Sequence, residues 1–162
     1  MLADASENAK ASGRHDVAAY LTLKASNDAI RRAGVGWLLE TLTEFAATTD
    51  RGGHLVKIER KEPHNFHFRG ANMVGISISF RYGLRCLTVE AGWTRTPADG
   101  FMRGGGMAFA RFKHFGMAEA NLDVGLFGTS ATPAWRAMRN DEVGGDIHSQ
   151  HLRRHIDVLV SD

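Results

Sequence analysis

The order of apolar and polar positions divides the chain into a helical front and a sheet-forming middle. Ile30, Gly34, Trp37, Leu38, Thr41, Leu42 and Phe45 recur at three- and four-residue spacing, which is the signature of one face of an α-helix. Ser26 or Asn27 can cap this helix, and Thr48-Thr49-Asp50 followed by Gly52-Gly53 ends it. A shorter helix is expected over Asp16 to Lys24, with Val17, Tyr20 and Leu21 inward, behind a flexible tail at residues 1–13. Gly34 and Gly36 each cost a helix about 1 kcal/mol relative to Ala, so they are expected to permit close approach of a strand or to mark a break.

From His54 the period changes from 3.6 to 2, and two hairpins are predicted. A loop of Lys61-Glu62-Pro63 places Ile58 opposite Phe66 and Val56 opposite Phe68, with the Pro kept out of the ladder. A two-residue Tyr82-Gly83 turn pairs Ile78 with Leu87, Ile76 with Val89 and Val74 with Ala91, so that the apolar pairs share one side. Strands follow at Met107 to Phe115 and Leu122 to Phe127. Thr132-Pro133 then reads as the start of a helix through Met138. The end reads two ways: Asp146 to Arg154 as a helix, or Ile156, Val158 and Val160 as a closing strand. The fold class expected is α+β, an N-terminal helix on a curved, mainly antiparallel sheet of about five or six strands with a helical element near the C-terminus.

Length and composition refine this picture without changing it. A chain of 162 residues with 43% hydrophobic content suits one domain, here residues 14–162. No stretch of about 18 apolar residues is present and the start has no signal-peptide character, so a cytoplasmic protein that does not enter the membrane is expected. The lone Cys86 has no disulfide partner, which fits a reducing compartment.

Charge adds a hint about partners. Between Arg51 and Phe115 eleven Lys/Arg face four acids, a net +7, whereas residues 1–50 carry −2 and residues 116–162 carry −3. Fifteen of the twenty basic residues are Arg, which contacts phosphate or carboxylate bidentately. On the strand Met107 to Phe115, Phe109, Arg111 and Lys113 share a face, the interleaving by which a sheet stacks bases and neutralises phosphate. Arg81, Arg95 and Arg103 extend the set. Arg103 leads a run of three glycines that lacks both the Gly-Lys-Ser/Thr and the dinucleotide spacings.

The function expected first is therefore a non-catalytic binding or adaptor domain that docks an anionic macromolecule, either nucleic acid or an acidic protein. An alternative is a small enzyme or ligand carrier with a pocket between helix and sheet, lined by Trp37, Trp93 and Phe112, with Asp99 and His114 as its polar groups. Self-association through an exposed strand is a third expectation. His151 and His155 lie four residues apart and would share a helix face, making them weak candidate metal ligands. No cofactor is expected, because no elbow, triad or metalloprotease pattern occurs.

Overall fold

The computed structural model describes residues 1–11, 13–51, 53–100, 102–128 and 132–161, without the side chains of Asp50, Arg51 and Arg103. Helix α1 (Leu2–Ala11) leads into the long α2 (His15–Ala47), and a two-stranded ribbon, β1 (Asp50–Arg51) with β2 (His54–Leu55), follows. Seven strands then form one meander in chain order: β3 (Lys57–Phe68), β4 (Ala71–Tyr82), β5 (Arg85–Trp93), β6 (Gly106–His114), β7 (Leu122–Phe127), β8 (Ala134–Arg139) and β9 (Glu142–Asp146). Helix α3 (Ser149–Val160) closes the chain. The α+β class and the helix on an antiparallel sheet agree with the sequence reading. Among the described residues no helix is long and apolar enough to cross a membrane.

Several local expectations are corrected. The segment read as a tail is α1, whose small residues let it lie close to α2, with the Ser6 hydroxyl donating to the Ala18 carbonyl at 3.0 Å. The two N-terminal helices are one helix of 33 residues running through Ser26 and Asn27, so a possible cap gives way to continued packing. Strand β3 runs straight through Pro63 with a bulge between Lys61 and His64, tolerable because β3 is an edge strand. The chain reverses instead at Arg69-Gly70, both at positive φ (48° and 85°), the backbone of a two-residue hairpin turn.

The second hairpin turns at Gly83-Leu84, one residue later than expected. Tyr82 pairs with Arg85, so Ile78 faces Val89 and Ile76 faces Ala91. Gly83 takes the first central position at φ 60°, where one common hairpin turn requires glycine. The slip is two residues in register, so every side chain keeps its expected face. Residues Ala134–Arg139 form a strand and not a helix, because β7 and β9 satisfy their ladder. The closing segment is helical, with Leu152, Ile156, Leu159 and Val160 buried.

Two apolar clusters fill the two sheet faces. On the helix face, Leu38, Leu39 and Leu42 of α2 and Leu152, Ile156 and Leu159 of α3 meet Val89, Ala110, Phe112, Val124 and Trp135. Gly34 allows this contact, since a Cβ there would collide with Leu126, and its carbonyl accepts from Trp135 Nε1 at 3.0 Å. On the other face, Phe66, Phe68 and Met73 meet Phe109, Phe127 and Met138. Gly75 pairs with Gly92, Gly92 with Phe109 and Phe109 with Gly125, forming a cross-strand row. With no side chain at three of those four positions, the end of the β3–β4 hairpin packs onto β6 and β7.

Candidate functional site

On the face of Phe109, Arg111 and Lys113, the expected nucleic-acid platform, Phe109 and Arg111 are engaged within the chain and Lys113 stays half-exposed. Phe109 is 1% exposed, stacked on Phe68 at 4.8 Å with Phe127 against it edge-on. It offers no ring to a base. Arg111 donates to Asp123 through Nε and Nη2 at 2.9 and 3.2 Å, and its guanidinium lies 4.9 Å from the centre of the Phe68 ring. The bond to Asp123 raises the Arg111 pKa above its ordinary value. Lys113 lies 3.7 Å from Glu90, which His64 also contacts at 2.7 Å. Arg81 is exposed at the far end of this face, and the Arg103 side chain lies outside the described residues.

The helix face instead carries a cleft of about 390 Å³ between α2 and strands β3–β5. Arg32 comes from α2, Arg60 from β3 and Arg95 from just after β5. Val35, Val74, Ile76 and Pro63 supply apolar wall. Arg95 lies 3.9 Å from the ring centre of the buried Trp93 and donates from Nη2 to the Val74 carbonyl at 3.0 Å. Burial lowers the Arg95 pKa; Asp28 opposes this, and Arg32 and Arg31 add to it. Arg60 contacts Glu62 at 3.1 Å. Among the described residues, neither Arg32 nor Arg95 has a carboxylate within ion-pair distance.

Gly36 also lines the cleft, and a Cβ built on it would meet nothing within 4 Å. Unlike Gly34, then, it is not required by close packing. It leaves one wall of the cleft bare at a helix position where glycine costs about 1 kcal/mol.

The other expected pocket residues divide. Trp93 joins the cleft, whereas Trp37 is 41% exposed because α2 presents Val35, Leu38 and Leu39 to the sheet. Asp99 accepts from the Thr96 backbone and hydroxyl, both at 3.0 Å, and from the Arg95 backbone at 3.2 Å. Those bonds, led by the Thr96 backbone, hold its pKa below the usual carboxylate range, and its role is to shape the loop. Phe112 and His114 lie under α3, where His155 stacks on Phe112 at 4.5 Å and its Nδ1 is 2.9 Å from His114 Nε2. Burial lowers the His114 pKa and carries that of His155 to about 4, with His114 and Arg154 contributing to the latter. His151 turns back to accept from the His148 backbone at 2.9 Å, so His151 and His155 have separate partners. Among the described residues no group of three His, Cys, Asp or Glu could hold a metal.

Sequence reasoning missed Arg32, Arg60 and Gly36. The readable signal was Gly36 at four residues from Arg32, a spacing that puts both on one helix face. Comparisons with protein-family models, curated proteins and solved structures find no match, so the functional reading rests on the cleft itself.

Proposed function

We propose that this chain is a non-catalytic binding domain that recognises an anionic group in the cleft between α2 and β3–β5. The observation that carries this reading is the convergence of three arginines on one concave site, two of them without a carboxylate at ion-pair distance among the described residues. Arg111, by contrast, is neutralised at contact distance by Asp123. Three guanidiniums against the single carboxylate of Glu62 leave excess positive charge in the cleft, and an arriving anion offsets it while gaining charge-assisted hydrogen bonds. The anionic partner expected from the charge distribution is thereby moved from the β6 face to the helix face.

The test is thermal melting at low ionic strength with added inorganic sulfate. A ligand that binds only the native state stabilises by mass action. Sulfate in the millimolar range is expected to raise the melting temperature of the wild type more than that of the double variant Arg32→Gln, Arg95→Gln. An equal response in both proteins overturns the reading, because sulfate would then act only by its general exclusion from protein surface.

A further inference from the structure

Taking the cleft as the anion site, we infer that its ligand is a small organic acid, one carboxylate on a compact apolar body, and not a phosphate-rich macromolecule. At about 390 Å³ the cleft lies at the lower end of small-molecule pockets, roughly 300–1,000 Å³. Its cations stand beside a wall of Val35, Val74, Ile76 and Pro63. The side chains of that wall favour hydrocarbon and offer no hydrogen bonds, so the part of a ligand that lies against them is apolar, and its polar part is confined to the arginines and Glu62. A guanidinium fork matches one carboxylate through two parallel bonds.

Glu62 restricts the charge further. It sits in the cleft against Arg60, so a polyanion would meet a fixed negative charge, whereas a single carboxylate can share Arg60 or take Arg95 and Arg32 alone. Gly36 leaves open space in the same wall, room for the body of the ligand and not for its charge.

The experiment is titration calorimetry of the full chain at low ionic strength with benzoate and hexanoate, compared with benzyl alcohol, inorganic sulfate and a short mixed-sequence oligonucleotide. The acids are expected to bind about tenfold or more tighter than sulfate, since burying a ring or alkyl chain adds at least the free energy of one decade. Benzyl alcohol is expected not to bind detectably. Gly36→Met fills the bare wall, keeps all three arginines and raises helix propensity; it should weaken benzoate about tenfold, and by more than it weakens sulfate. If sulfate or the oligonucleotide binds as tightly as benzoate, and Arg32→Gln with Arg95→Gln abolishes that binding, the anion site stands and the organic-acid assignment falls. Undiminished benzoate binding in folded Gly36→Met also overturns the assignment. If no anion depends on Arg32 and Arg95, both readings fall together.

Discussion

Arg111 and Arg95 are the same side chain against the same kind of surface, an aromatic ring, yet they sit in opposite electrostatic circumstances. Arg111, over Phe68, is held by both oxygens of Asp123, and Arg69 approaches that carboxylate at 3.5 Å. Arg95, over Trp93, has a carbonyl for a partner and Arg32 for a neighbour. Counting charge along the chain gives the two residues equal weight. The partners decide which one is more available, because a cation bonded to its own carboxylate is already largely neutralised and has fewer free donors for another anion.

The largest expected effect separates the two regions by what they contribute to stability. Phe109→Ala should cost about 3–5 kcal/mol in urea denaturation, since it empties the centre of the second apolar cluster. Arg95→Gln should change stability by less than about 0.5 kcal/mol. Comparable losses would mean that the cleft is as structural as the β6 face.

A pH titration sharpens the comparison by way of a third polar group that is satisfied internally. His155 is held neutral by burial, with a pKa of about 4 against an ordinary 6.5. As pH falls below about 6.5 the unfolded chain takes up the proton first, so stability is complete above that value and declines toward pH 4, where the native imidazole also protonates. The decline should reach roughly 3 kcal/mol. His155→Phe, which keeps a ring on Phe112 and removes this titration, should make the profile shallower between those limits, leaving the smaller slope of the buried His114; an unchanged profile would show that His155 does not carry it.

The sequence made the class of fold and the faces of the strands legible, because a period of two survives a register error of two. Ile76 and Ile78 point to the helices whether the turn lies at Tyr82-Gly83 or at Gly83-Leu84. The first hairpin was not legible. Pro63 reads as a loop residue, and only edge position makes it acceptable within β3. That error hid Arg60, whose place opposite Ile78 brings it to the cleft. Arg95 and Trp93 were readable as candidates, but Arg32 lies outside the apolar stripe that defines the helix. Phe109 misled for a similar reason: alternation assigns it a face, whereas the glycine row that lets Phe68 cover it depends on pairing across four strands.

The most direct test of where an anion lands is a two-dimensional NMR titration of the assigned wild-type chain with benzoate at constant ionic strength. The expected result is that shifts concentrate at Val35, Gly36, Val74 and Gly75 and at the side chains of Trp93 and Arg95. Shifts centred on Glu90, Arg111, Lys113 and Asp123, with the cleft unperturbed, would contradict the assignment and return the anion-binding surface to the β6 face.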